Sequence, residues 1–221
     1  MEILFDDQIR TAAPGLTVIT VEADVTNGET PDELWSLLTR AAADIAAVTE
    51  LPDIARRPAI KATREAYKAL GKEPNRYRPS AEALSRRAVK GMELYRINTL
   101  VDLINLLSLQ SGYSIGGFDA DIIEGDRLTL GVGREGEPFE AIGRGQLNIH
   151  GLPVYRDAVG PIGTPTSDVD RTKLSPSTSR LLMCINVYGE EMPQAKTAAY
   201  AVELLEKWAE ARNITVKYHR P

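Results

Sequence analysis

Three groups of residues in this chain combine side chains and backbone that could do chemistry. Gly116-Gly117-Phe118-Asp119 places two adjacent glycines before an aspartate, so a partner could approach the backbone closely beside one carboxylate. Arg76-Tyr77-Arg78 sets two cations around an aromatic ring, with Arg86 and Arg87 close behind, a combination that offers phosphate contacts next to a stacking face. A plainer reading of the same residues makes Tyr77 a core anchor and has the arginines cap helix ends by bonding to carbonyls. Tyr155-Arg156-Asp157 supplies an oriented cation and a carboxylate able to hold a water, although neighbours on a strand point to opposite faces.

Other chemistries find no support. The two histidines, His150 and His219, lack ligand spacing, so no metal site is expected. Gly116-Gly117 has no lysine of a phosphate loop, and Gly131-Val-Gly-Arg-Glu-Gly136 matches a dinucleotide fingerprint only in letters, because hairpin signals flank it instead of a helix start. No cofactor is expected. Cys184 lies in an apolar run and His219 near the end of the sequence, so neither a Cys-His nor a Ser-His-Asp site assembles.

The elements that must position these residues are readable from period and punctuation. Asn98 is a plausible N-cap, Leu100, Leu103, Ile104 and Leu107 recur at helical spacing, and Gly112 supplies a left-handed stop, so an amphipathic helix leads straight into an extended segment from Tyr113 to Phe118. Upstream, Leu16 to Val21 alternates like a half-buried strand, and Thr30-Pro-Asp-Glu33 reads as a capping box opening a helix that ends near Leu51-Pro52. Further helices are expected over Pro58–Leu70 and from a Ser80 cap to Gly91. Beyond Asp119 short apolar runs alternate with glycine: 128–132, 139–142, 147–149, 154–155 and 181–188 read as strands. The stretch from Gly160 to Ser179 is polar, long for a structureless loop, and therefore a candidate lid. A final helix from about Pro193 to Arg212 and a strand from Ile214 to Tyr218 close the chain. A helical half followed by a strand-rich half indicates an α+β fold.

With 221 residues and 43% hydrophobic content the chain can bury a sizeable core, and one domain over 1–221 is expected. A single cysteine rules out an internal disulfide framework and fits a reducing compartment. No segment approaches the roughly 20 apolar residues of a membrane span, so a soluble cytoplasmic protein is expected. The net charge of −5 argues against a nucleic-acid partner, but it hides an asymmetry: from Arg56 to Arg96 there are 12 Lys/Arg against four Glu. Either that +8 window meets phosphate, or it consists of solvated helix faces balanced by acidic neighbours.

The order of the motifs adds a resemblance. A basic residue, the helix Val101-Asp-Leu-Ile-Asn-Leu-Leu-Ser-Leu and then Gly116-Gly-Phe-Asp119, together with Arg76-Tyr-Arg-Pro-Ser, Val154-Tyr-Arg-Asp157 and Asp170-Arg-Thr172, resembles the third and fourth domains of the beta subunit of bacterial phenylalanyl-tRNA synthetase, and free-standing proteins built from that module. The resemblance covers about residues 60–190. It implies a layered sheet-sheet-helix arrangement with a mixed, curved sheet, and a partner that is tRNA or the 3′ end of an aminoacyl-tRNA. Hydrolysis of a mischarged aminoacyl ester in trans is the activity it implies, with Arg96 and the Gly116-Gly117 backbone binding substrate. Asp119, Tyr155 and Arg156 are further candidates to bind substrate in place of the family's editing side chains, and the basic window offers Arg76, Tyr77, Arg78, Arg86 and Arg87 as RNA contacts. Arg96 would contact ribose or phosphate, or else pair with a neighbouring acid. Two departures matter: Gly117 stands where the synthetase module commonly has histidine, and Met183 or Asn186 where it has glutamate. The pocket is therefore either retained as a binder of an amino acid or nucleoside without the original chemistry, or served by Asp157 as the catalyst.

Overall fold

The computed structural model describes residues 1–221. Ten strands and six helices run in the order β1 (Glu2–Phe5), α1 (Asp7–Ala12), β2 (Thr17–Asp24), α2 (Asp32–Val48), α3 (Pro58–Ala69), α4 (Ser80–Val89), α5 (Thr99–Ser111), β3 (Ser114–Asp119), β4 (Arg127–Val132), β5 (Glu140–Ala141), β6 (Gly145–Gln146), β7 (Pro153–Arg156), β8 (Pro161–Gly163), β9 (Arg180–Val187), α6 (Gln194–Trp208) and β10 (Arg212–His219). One sheet has the order β1-β4-β7-β8 and is mixed, since β1 runs parallel to β4 while the other pairs are antiparallel. The second, β10-β2-β9-β3, is antiparallel throughout.

The layering follows from the alternation on β9. Leu181, Met183 and Ile185 face a core shared with α2, α5 and α6, whereas Leu182 and Cys184 face a second core shared with Leu128, Leu130, Val154 and Ile162 of the first sheet. A strand covered on both faces reads as an unbroken apolar run, as here. The result is sheet on sheet on helices, an α+β fold with the expected layers. The Cys184 thiol lies between the two sheets, and burial pushes its pKa up, away from reactivity.

Several local expectations are corrected. Strand β2 is buried on both faces rather than one, because the helices cover one face of its sheet and the mixed sheet covers the other, and Thr17 and Thr20 are enclosed with its valines. The capping box before α2 does not form; the Thr30 hydroxyl donates instead to Asp102 of α5, 2.5 Å away. The strands expected at 139–142 and 147–149 shrink to the two-residue hairpin β5–β6. Residues 160–179 are not structureless: they contain β8 and a 3₁₀ turn at Asp170–Thr172, and they are tied down by Ser80 N–H to the Pro165 carbonyl (2.8 Å), Tyr67 to Thr166 (2.9 Å) and Asn27 to the Ser175 carbonyl (2.7 Å). Strand β1 and helix α1, with Asp6 as its cap, complete the mixed sheet.

Candidate functional site

Helix α5 and strand β3 form the wall and floor of a cavity of about 500 Å³. Their junction is fixed by local rules. The Asn98 side-chain Oδ1 accepts from Val101 N–H (3.0 Å), Gly112 takes the left-handed conformation at φ +76° with its N–H on the Ser108 carbonyl, and the Ser108 hydroxyl donates to the Tyr113 carbonyl at 2.8 Å. The helix therefore presents Val101, Ile104 and Asn105 to the cavity, facing Ile115 and Gly117 of β3, while α4 adds Ser80 and Leu84. The segment after β8 closes the remaining side with Asp168, Lys173 and Leu174, and a bridge between Phe118 and Lys173 lays it along the open edge of β3.

Asp168 is the carboxylate of this cavity. A Cβ at Gly163 would come within 2.5 Å of its Oδ1, so that glycine leaves the seat it occupies, while a Cβ at Gly116 would reach only ordinary contact at 3.6 Å. Burial raises its pKa to about 8 against the opposing influence of the Gly117 N–H. Lys173 lines the same cavity, but its ammonium is paired with Asp170 at 2.8 Å. Asp168 was not among the residues expected from sequence; only its position inside the polar 160–179 stretch pointed to it.

The cavity continues into an open groove, because Ser80, Leu84 and Asn105 line both. Six cations, Arg76, Arg78, Arg86, Arg87, Lys90 and Arg144, line that groove without a carboxylate among them. Below the groove floor a buried Glu82 draws Arg64 (2.7 Å), Arg78 (3.7 Å) and Arg86 (3.9 Å), so part of the basic window is balanced internally. Arg87 stacks over the ring of Tyr95 at 4.2 Å, and Tyr95, 68% exposed, is the aromatic face of the groove. Tyr77 does not fill that role. It packs against the inter-sheet core with the Lys72 ammonium 3.7 Å from its ring centre, and Lys72 is held by the carbonyls of Asn148 and His150.

The structure brings Gly117 to the cavity, with Gly116 next to it on β3 outside the lining, and gathers Arg76, Arg78, Arg86 and Arg87 along the groove, but it disperses the other expected residues. Arg96 bonds to the Thr30 carbonyl and to Asp32 (2.7 Å) at the start of α2, the neighbouring-acid alternative. Asp119 accepts from the Thr178 hydroxyl (2.8 Å) and Asp121 N–H, anchoring the far end of the polar segment. Tyr155 is buried between the sheets with its hydroxyl on Asn186 at 2.6 Å, and Arg156 forks onto Glu137 at 2.8 and 2.6 Å. Asp157 has a fully buried side chain held by Arg171. Gly117 also differs from expectation in one respect: the space a side chain would take is filled by Ile104 and Leu174, whose methyls would stand 2.5 and 2.8 Å from a Cβ.

The B3/4 domain family model matches residues 62–203, most of the chain and all of the cavity, and the chain belongs to that family. A likeness to phenylalanyl-tRNA synthetase beta-subunit modules thus holds at the level of the domain. Among solved structures, an N-terminal fragment of the phenylalanyl-tRNA synthetase beta-subunit from Pyrococcus horikoshii aligns over 100% of this chain and 54% of its own, with 12% identity and a TM-score of 0.49. The chain thus spans about half of that fragment. No curated protein matches it.

Proposed function

We propose that this chain binds the 3′ end of tRNA, laying the phosphate backbone along the α4 groove and inserting the terminal aminoacyl group into the cavity between α5 and β3. The observation that carries the reading is the continuity of the two spaces: six cations without a lining carboxylate lead directly to a partly enclosed, half-apolar cavity. Phosphates favour the first environment and an aminoacyl group the second. Tyr95, beside Arg87, offers a stacking face for a base on the way in. Hydrolysis of the ester in trans is consistent with this site only if water is positioned without the family's histidine, since Gly117 occupies that place. A non-catalytic binder of a small amino-acid-like ligand is the second reading, favoured by that same glycine and by Asn186 being locked between Tyr155 and the Ser114 carbonyl.

Salt separates the readings. Bulk tRNA binding measured by filter retention should weaken steeply with salt, and replacing Arg76, Arg78, Arg86 and Arg87 by glutamine should both lower affinity and flatten the log–log slope by about 2–3, at roughly 0.7 per neutralised single-strand phosphate. Tyr95→Ala should cost about 1–3 kcal/mol of the same binding. An unchanged slope in the four-residue variant would remove RNA from the groove and leave the small-ligand reading.

A further inference from the structure

The cavity contains a feature that neither groove nor family motif accounts for. Asp168 faces it without a cation: the Lys173 ammonium is on Asp170, and the buried neighbours Tyr155 and Cys184, whose pKa values are raised by burial, stay neutral and bring no positive charge. Gly163 leaves room for it, since a Cβ there would stand 2.5 Å from Oδ1. Beside it the Asn105 side chain lines the cavity with no partner in the protein, and Val101, Ile104, Ile115 and Leu174 cover the adjoining wall. One carboxyl, one free amide and a branched aliphatic surface match a small cation carried on a carbon with an apolar substituent. A metal ion needs more oxygen or nitrogen donors than this, and a guanidinium needs a wider fork of acceptors.

We infer that Asp168 is the receptor for the α-ammonium of the aminoacyl group, with Asn105 as second acceptor and the aliphatic wall taking a branched side chain. The inference rests on the cavity being the end-receiving site proposed above. It also explains how a carboxyl with a raised pKa serves as an anion: at neutral pH the empty site keeps its proton, and an arriving ammonium releases that proton to buffer as the ion pair forms. Proton release on binding is a signature that a purely structural aspartate would not give.

The test uses leucinamide, a neutral-carbonyl mimic of the ester, and its deamino counterpart 4-methylpentanamide, with binding read by saturation-transfer NMR and calorimetry in buffers of different ionisation enthalpy. Leucinamide should bind at least tenfold more tightly than the deamino compound and release protons at pH 7. Asp168→Asn should abolish both the preference and the proton release, and Asn105→Ala should narrow the preference. Leucine itself should bind less well than leucinamide, since the one cation in the cavity lining, Lys173, is already paired with Asp170. Equal affinity of the two amides for the native protein, or no binding of either, overturns the assignment, and leucine binding as well as leucinamide would overturn its aminoacyl form. None of these results involves RNA. A failed groove experiment with a positive amide experiment therefore removes the tRNA reading alone, and the converse removes only Asp168.

Discussion

Strand β8 is flanked by two aspartates, and a comparison of their surroundings separates structure from function in this molecule. Before the strand, Asp157 has no exposed side-chain surface and accepts from Arg171 (2.8 and 2.9 Å) and from the N–H groups of Glu124, Val159 and Gly160 (each 3.0 Å). Burial alone would raise its pKa, but those donors together hold it below the ordinary carboxylate range. After the strand, Asp168 is partly buried with only the Gly117 N–H opposing the desolvation, and its pKa rises. A carboxylate whose lone pairs are all occupied can only brace the fold. One that is desolvated and unpaired at a cavity wall has binding capacity to spare.

The sharpest break of this comparison is Asp157→Ala. It strands Arg171 and three N–H groups, and should destabilise the protein by about 3 kcal/mol, a fall in Tm on the order of 10 °C for a chain of this size. The Asp157 substitution should leave leucinamide binding intact wherever the variant is folded. A drop in stability no larger than that of an ordinary surface change would show that the two motifs joined at Asp157 and Arg171 do not brace the loop.

Next in size is Gly163→Ala, which would set a Cβ 2.5 Å from Asp168 Oδ1 and 2.6 Å from the Phe118 ring. It should destabilise by about 1–3 kcal/mol and, by displacing the carboxyl, also weaken the amine preference. Denaturant midpoints and amide affinities measured on the same preparation check both. Full retention of the preference would mean that the glycine seat is not what aims Asp168.

The smallest effect is in pH, and it has opposite sign at the two sites. For Asp157, with its pKa depressed when folded, the stabilisation is present above the ordinary aspartate value near 4 and is lost as pH falls through the folded value. For Asp168 the folded chain holds a proton that the unfolded chain has released, so stability declines as pH rises from near 4 to about 8 and is level above that. Urea midpoints at pH 5, 7 and 8.5 should therefore show native protein losing ground to Asp168→Asn as pH rises. Parallel pH profiles for the two proteins would place the Asp168 carboxyl in water.

What the sequence made legible was set by range. Helix α5 was readable because Asn98, the apolar spacing and Gly112 act within a few residues, and the cations of the groove were readable because four of them fall within α4 and the turn before it. The polar stretch 160–179 was misjudged because threonines that donate to backbone and side chains inside the fold, such as Thr164, Thr166 and Thr178, have the composition of a loop. Asp168 had no local signal at all. Its burial arises only when distant parts of the chain, β3 among them, pack beside it, and an aspartate in a polar tract looks the same whether or not such neighbours arrive. Tyr77 and Tyr95 were separable only in space, where Lys72 occupies the ring of one and the groove exposes the other.

The order β10-β2-β9-β3 has a consequence for how the chain reaches this state. Strand β2 lies inside its sheet, yet both of its neighbours, β9 and β10, come far later in the sequence. The helices can form from nearby residues, but β2 must wait, both edges unpaired, until those two strands are available to it. Closing so large a loop is slow, and an apolar strand left open meanwhile is a template for other chains. During synthesis, then, the segment most exposed to misassembly is the one that ends up most deeply covered, and refolding yield should depend on protein concentration more than the finished structure's well-buried centre would indicate.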